Sequence, residues 1–375
     1  MDTLAKFRKV VESRHEFAAE WKRKSSRKVI GMMCKYLPEE MIHAAGALPV
    51  FITGTMGELD RVNEYLQENT CPYMRSCLEV GLGGDYDYLD GLVVTHSCDV
   101  MSKMHDFWKN RTGVPSVFLL DFPHKVNENA LVFFRHIMDE FKRYLEENVG
   151  RKITDEALRA SIRVYNEYRD LLRQLYRLRI KSPTPVTGLE TFTVVLSTLM
   201  MPKEEAIGLL KQLLREIAQR RDVPSEGVRV MVTGTDVDNL DFFDLLEDCG
   251  ATVVADDLCT GSRYFWKSVD ETGQPLDALA SRYLQNIPCS RTGPSEDRYE
   301  HISKLAKEYR VQGIIMPILN FCDAHSFDAP YVMDLIKEAG IPVRKVEIDH
   351  TKGGMEQIRP IVEAFVEIIK EGGRT

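Results

Sequence analysis

Short apolar runs alternate with helical patterns in two separate stretches of the chain. The runs lie at 28–32, 48–52, 91–95 and 116–120 in the first stretch, and at 228–233, 252–255, 313–317 and 342–348 in the second. Continuous runs of this length, separated by helical segments, are typical of parallel strands that are buried on both faces. The pattern therefore predicts eight strands in two parallel sheets.

The segment between the two stretches has a different period. Apolar residues recur every three or four positions at 130–148, 156–180 and 203–221, with charges on the opposite face, which predicts amphipathic helices. The predicted fold class is α/β, with two doubly wound parallel-sheet domains joined by a helical segment. The expected divisions are an N-terminal helix at 1–28, a first α/β domain at 29–125, a helical connection at 126–225 and a second α/β domain at 226–375.

The composition narrows the class of protein. The 375 residues are 44% hydrophobic and 28% charged, as in an ordinary globular protein. A net charge of −8 argues against general binding to nucleic acid, which needs a basic surface. No apolar run is long enough to span a bilayer, and the charged N-terminal segment does not resemble a secretory signal. We therefore expect a cytoplasmic protein with no membrane or nucleic-acid partner.

The eight cysteines carry most of the chemical information. Thiols stay reduced in the cytoplasm, so a disulfide framework is not expected. Cys34 and Cys249 are interpreted as packing residues. The remaining cysteines lie in segments that follow predicted strands or begin helices, where parallel sheets bind ligands. These six are Cys71, Cys77, Cys98, Cys259, Cys289 and Cys322.

The spacing of these six cysteines favours an iron–sulfur cluster over zinc. Structural zinc sites are usually built from close pairs such as CxxC, and the chain contains no CxxC. Iron–sulfur clusters can collect their ligands from loops that are distant in sequence. A zinc site, and buried thiols without any metal, remain open as alternatives.

Six segments resemble the 2-hydroxyacyl-CoA dehydratase/benzoyl-CoA reductase superfamily, over nearly the whole chain. They are LPEEMIHAAGALPV (37–50), RSCLEVGL (75–82), DGLVVTHSCD (90–99), VVADDLCTGSRYF (253–265), IIMPILNFCDAHSFD (314–328) and VEIDH (346–350). The resemblance implies a [4Fe–4S] cluster bound by three cysteines. By the family pattern these are Cys77, Cys98 and Cys322.

The remaining three cysteines are similar to those of one branch of this superfamily, the double-cubane cluster proteins. In that branch six cysteines hold two cubanes bridged by a sulfide, which implies an [8Fe–9S] cluster here, with Cys71, Cys259 and Cys289 on the second cubane. Branch members take one ligand from a short insertion that this chain lacks. Cys77 stands where they have Ser and is expected to replace that ligand. Which cysteine holds which cubane stays open.

The resemblance implies an anaerobic, homodimeric reductase that receives low-potential electrons from a separate ATP-hydrolysing iron–sulfur activator. Its substrate would be a small unsaturated or CoA-bound molecule, as in benzoyl-CoA reductase. The alternative is the [4Fe–4S] subunit of a heterodimeric (R)-2-hydroxyacyl-CoA dehydratase that works through a ketyl radical. A metal-storage scaffold and a metal-free CoA-binding module are further alternatives. The chain has no P-loop, flavin or nicotinamide motif of its own.

Polar residues beside the cysteines are candidates for proton transfer. His96 and His325 are the predicted catalytic residues, because a neutral imidazole both donates and accepts protons near neutral pH. The turn at 233–236 is interpreted as an ordinary connection after a strand. The acids at 39–40 are interpreted as first-turn residues of a helix, and those at 256–257 as caps.

Overall fold

The computed structural model describes residues 2–372 and contains two four-stranded parallel sheets. Residue 1 and residues 373–375, which the expected divisions include, lie outside the described residues. The strands are β1 (Val29–Met33), β2 (Leu48–Phe51), β3 (Gly91–His96), β4 (Val117–Asp121), β5 (Val228–Thr233), β6 (Ala251–Asp257), β7 (Gly313–Leu319) and β8 (Val343–Ile348). All eight predicted strands and the α/β class are confirmed.

Helices connect and cover the strands. They are α1 (Asp2–Glu12), α2 (Arg14–Ser25), α3 (Glu39–Ala44), α4 (Pro72–Leu82), α5 (Asp99–Arg111), α6 (Glu128–Val149), α7 (Asp155–Arg177), α8 (Gly188–Thr198), α9 (Lys203–Ala218), α10 (Asp241–Asp248), α11 (Ser262–Phe265), α12 (Pro275–Leu284), α13 (Ser295–Glu308), α14 (Asp323–Glu338) and α15 (Lys352–Gly372). The three predicted amphipathic helices correspond to α6, α7 and α9. Between residues 2 and 372, no helix has the length and apolar character that crossing a membrane requires.

The N-terminal segment forms two helices where a single one was expected. The break falls at Ser13, whose hydroxyl donates to the carbonyl oxygen of Lys9 at 2.8 Å. A serine hydroxyl that bonds the preceding turn competes with the helical backbone pattern and favours a bend. The backbone at Ser13 is non-helical, with φ −117° and ψ 32°, so α1 ends before it and α2 begins after it.

The two sheets have the same topology. Their strand orders are β2-β1-β3-β4 and β6-β5-β7-β8, so the chain reverses its winding between β1 and β3 in one sheet and between β5 and β7 in the other. In open parallel sheets, ligands bind beyond the carboxyl ends of the strands at such a reversal. The residues that follow β1, β3, β5 and β7 are therefore best placed to form a site.

Buried ion pairs attach the helical segment to the first sheet. Helix α3 begins at Glu39, as the first-turn interpretation of the acids predicts. The carboxylate of Glu40 accepts from Arg169 of α7 at 2.5 Å and from the hydroxyl of Tyr283 of α12 at 2.7 Å. Glu39 lies 3.2 Å from the ammonium of Lys203 of α9. These acids thus bind buried cations in addition to beginning a helix.

Candidate functional site

A partly enclosed cavity lies where the carboxyl ends of the two sheets meet. Its walls include the residues directly after β1, β3 and β5 and the loop after β7. The cavity volume is about 90 Å³, below the range of about 300–1,000 Å³ typical of sites for drug-sized ligands. Six free cysteines line it: Cys34, Cys71, Cys98, Cys259, Cys289 and Cys322.

Five of the six predicted ligand positions are on this wall, and Cys77 is not. Cys77 lies within α4, fully buried in the hydrophobic core, where burial and the nearby Asp238 carboxylate raise its pKa well above the ordinary value. It follows Cys71 by six residues, about 1.7 helical turns, so the two side chains leave the helix on different faces. The position of Cys77 gives no support to its predicted role as a replacement ligand.

Cys34 packs against the hydrophobic core, as its interpretation predicts, and it also lies on the cavity wall. It directly follows β1, and its backbone has a φ of +81°. This left-handed conformation is rare for a residue with a side chain. The sequence signal that could have found Cys34 is its place after a strand at the winding reversal. Cys249, by contrast, ends α10 away from the cavity, as its packing interpretation predicts.

Three of the cavity cysteines, here called the capping triad, each occupy the position just before a helix. Cys71, Cys98 and Cys322 are the N-cap residues of α4, α5 and α14. Burial and the neighbouring thiols of Cys322 and Cys98 raise the pKa of Cys71 to about 12. The capping triad therefore brings three sulfur atoms together at three helix N-termini.

The other three cysteines, here called the loop triad, lie in irregular segments. They are Cys34, Cys259 and Cys289. The neighbouring Cys259 thiol holds the pKa of Cys289 well below its ordinary value, and burial together with Cys289 raises the pKa of Cys34 to about 11. These mutual effects indicate that the three thiols lie close together. The structure thus divides the six cysteines differently from the family-based assignment.

Two cations that the sequence analysis did not single out face the cysteines. The ammonium of Lys35 is buried (4% exposed) and has no hydrogen-bond partner. Burial lowers the pKa of Lys35 to about 8, against the opposite effect of Asp236. The guanidinium of Arg291 lies 3.7 Å from the Cys322 sulfur, and although burial opposes it, the thiols of Cys98 and other cavity cysteines raise the pKa of Arg291. Both cations can neutralise negative charge inside the cavity.

A buried ion pair fixes the loop that carries Cys259. Arg263 donates to the two carboxylate oxygens of Asp257 at 2.7 and 2.8 Å, and its third nitrogen lies 3.6 Å from the Cys259 sulfur. Although burial opposes it, Arg263 lowers the pKa of Asp257 to about 2. The capping interpretation is correct for Asp256, whose carboxylate accepts from the amide of Ser262. Asp257 instead positions the loop through Arg263.

Replacing Arg263 with Lys is expected to lower the free energy of unfolding by about 1.5–3 kcal/mol, because lysine keeps the charge but loses the two-point bond to Asp257. Urea denaturation of the metal-free protein measures this change. Arg359→Lys is the matched control, since Arg359 bonds Glu356 in the same two-point manner on the surface and should leave the midpoint unchanged. Equal midpoints for Arg263→Lys and the unmodified protein would contradict the positioning role of the pair.

The structure separates the two predicted catalytic histidines. His325 lines the cavity and is 4% exposed, and burial lowers its pKa to about 4, so the ring is neutral at neutral pH. His96 is not on the wall, and its Nδ1 atom lies 3.0 Å from a carboxylate oxygen of Asp121. The ring of His124, which does line the cavity, lies 6.5 Å from that of His96. His124 follows β4, a position that strand-end reasoning could have found.

The turn after β5 contributes to the wall, although its sequence reads as an ordinary connection. A Cβ atom on Gly234 would lie 2.1 Å from the carbonyl oxygen of Pro317, so only glycine allows this close approach to β7. The hydroxyl of Thr235 donates to that same oxygen at 3.1 Å. The turn thereby places Asp236 in the cavity, where burial raises its pKa and one carboxylate oxygen has no hydrogen-bond partner.

The donor set suits a polynuclear cluster. Within residues 2–372, no three His, Cys, Asp or Glu side chains converge closely enough to hold one metal ion. The thiols are instead distributed around the wall of the cavity. Ligands of different iron atoms in an iron–sulfur cluster need this kind of separation, whereas a structural zinc ion needs four ligands around one point.

Comparisons with known proteins identify the family of the chain. The family model described as 2-hydroxyglutaryl-CoA dehydratase, D-component, matches residues 34–369. The chain is 30% identical to the (R)-phenyllactyl-CoA dehydratase beta subunit of Clostridium sporogenes, with 97% of each chain covered. It is 29% identical to one of the subunits of benzoyl-CoA reductase from Thauera aromatica, with 94% of each covered. It is 28% identical to the beta subunit of (R)-2-hydroxyglutaryl-CoA dehydratase from Acidaminococcus fermentans, over 97% of this chain and 98% of that one.

Proposed function

Since this chain belongs to the 2-hydroxyglutaryl-CoA dehydratase D-component family, we propose that it is an iron–sulfur reductase with a double-cubane [8Fe–9S] cluster. The observation that carries the proposal is the presence of six cysteines on the wall of one cavity. The capping triad would hold one cubane and the loop triad the other. When bound, such a cluster supplies electrons at low potential to an unsaturated bond.

The residues around the thiols have opposing effects on the reduction potential. Apolar side chains cover much of the wall and exclude water, among them Met33, Phe51, Ile52 and Phe122. Side-chain N–H groups of Arg263 and Arg291 approach the sulfur atoms of Cys259 and Cys322. The apolar wall favours a low potential, whereas each hydrogen bond to a cluster sulfur raises it.

Protons for the reduction would come from side chains at the cavity. We propose His325 as the first of these, because its ring is buried on the wall and near Cys289. His96 is bound to Asp121 outside the wall, so His124 is proposed to reach the cavity in its place. A neutral imidazole can transfer a proton at either nitrogen and be restored from solvent.

The electrons would come from a separate protein. The chain has no P-loop, so we propose an ATP-hydrolysing iron–sulfur activator as its partner. A homodimer suits a chain that carries all six cysteines itself. The proposed substrate class is a small unsaturated molecule or a CoA ester, and the name of the benzoyl-CoA reductase relative supports the second.

A second candidate function is a single-cluster subunit of an (R)-2-hydroxyacyl-CoA dehydratase. The observation that favours it is the nearly full-length match to proteins named as dehydratase beta subunits. In this case one triad would hold a [4Fe–4S] cluster, the other thiols would be structural, and the partner would be a different subunit.

The iron and acid-labile sulfide content of protein purified without oxygen tests both functions. About eight irons per chain, with slightly more sulfide than iron, are expected for the double cubane, and about four of each for the dehydratase subunit. Zinc, or no metal after anaerobic purification, would overturn both. The control is the same count after Cys249→Ala, which removes a thiol outside the cavity and should change neither number.

A further inference from the structure

The two triads differ in the positive charge that the backbone directs at them. Each capping-triad cysteine is the N-cap of a helix, and these helices have 11, 13 and 16 residues. A helix N-terminus carries the equivalent of roughly half a positive charge. In the loop triad, Cys259 precedes only the four-residue α11, whose N-cap is Gly261, and the other two lie in loops. The helical backbone therefore stabilises negative charge at the capping triad alone.

Arg291 adds a second, independent difference. Its guanidinium lies 3.7 Å from the Cys322 sulfur, and the thiols with the main effect on it are those of Cys98, Cys289, Cys322 and Cys71, of which only Cys289 belongs to the loop triad. Within residues 2–372 no carboxylate forms an ion pair with Arg291, and its buried Nε atom has no hydrogen-bond partner. The positive charge of this guanidinium therefore acts mainly on the capping triad.

The cations near the loop triad are offset by acids. Arg263 is bound at two points to Asp257. Lys35 has Asp236 as its main charged neighbour. Each cation on this side is thus matched by a buried carboxylate, and the net positive charge at the loop triad is smaller than at the capping triad.

Resting on the proposed function, we infer that the capping triad holds the half of the cluster that takes up the first electron. Reduction adds one negative charge, and added negative charge is most stable where the surrounding field is most positive. In this step the one-electron donor is oxidised, the half of the cluster at Cys71, Cys98 and Cys322 is reduced, and no bond is formed or broken. The half at the loop triad would be reduced second.

Stepwise reduction of the full-length, anaerobically purified protein tests this order. Titanium(III) citrate serves as the one-electron reductant, and electron paramagnetic resonance follows each step. At the potential where the first step of the unmodified protein is half complete, Arg291→Gln should lower the ratio of reduced to oxidised cluster at least tenfold. This corresponds to a shift of about 59 mV for one electron. Arg291→Lys, which keeps the charge, should restore most of that ratio.

Variants at the loop triad provide the matched comparison and keep the test decisive if Arg291→Gln loses its metal. Lys35→Met should move the second step to lower potential, and Asp236→Asn should move it to higher potential, while both leave the first step in place. If these two variants move the first step, or if both electrons enter in one step, the inferred order is overturned and the proposed function stands. About four irons per chain would overturn the function and the order together.

Discussion

Replacement of Cys34 by Ala is expected to remove about half of the bound iron or more, whereas Cys77→Ala should leave the iron content unchanged. Cys34 lies on the cavity wall with Cys259 and Cys289, so its loss leaves one of the two triads with only two thiols. Cys77 lies within α4, fully buried in the hydrophobic core, and is not on the cavity wall.

Iron per chain after anaerobic purification is the measurement, and the three alanine variants of Cys34, Cys77 and Cys249 form a matched set. Cys77→Ala leaves a small buried cavity and should lower the free energy of unfolding by about 1 kcal/mol or somewhat more. Cys249→Ala, outside the cavity, should leave the iron content unchanged. The reverse pattern, with iron lost from Cys77→Ala and retained by Cys34→Ala, would restore the family-based assignment of ligands.

The architecture could be read from the sequence because its strands are buried on both faces. The strands β1, β5 and β7 are apolar along nearly their whole length, and every residue in them is buried. Such runs leave little ambiguity between strand and surface helix. The break at Ser13 was not predicted, because a single hydroxyl bond to the preceding turn decides it and no change of hydrophobic period marks it.

The candidate site could be predicted where chemistry depends on the position of a residue after a strand or before a helix. That rule found Cys98 and Cys322, and it would also have found Cys34 had it been applied there. The rule does not show whether a residue within a helix faces the cavity or the core. It therefore also selected Cys77, which lies in the core. Arg291 and Asp236 both line the cavity because two sheets, far apart in sequence, meet there. No local sequence pattern predicts that the two sheets meet.

Replacement of Glu40 by Gln is expected to lower the free energy of unfolding by about 3–5 kcal/mol at neutral pH. The Glu40 and Arg169 side chains are 0% and 3% exposed, and their charged atoms lie 2.5 Å apart. Glutamine preserves the shape and can still accept a bond from Tyr283, but it leaves the buried guanidinium without a counter-charge. Because the pair joins α3 to α7, its loss weakens the attachment of the helical segment to the sheet that carries Cys34 and Cys98.

The pH dependence of this difference separates loss of charge from loss of packing. Burial raises the pKa of Glu40, but Arg169, Arg282 and Tyr283 together lower it below its ordinary value. A carboxyl whose pKa is lower in the folded state stabilises the protein above its unfolded pKa of about 4.3, and this stability is lost as the pH falls through the folded value. The difference in free energy of unfolding between the unmodified protein and Glu40→Gln, measured by urea denaturation, should therefore be largest at neutral pH and decrease below pH about 4.

Glu20→Gln is the control. Glu20 pairs with Lys24 at the surface, so this variant should leave the denaturation midpoint unchanged at neutral pH. If the difference in free energy of unfolding between the unmodified protein and Glu40→Gln stayed the same in acid, packing and not the buried charge would hold α3 against α7.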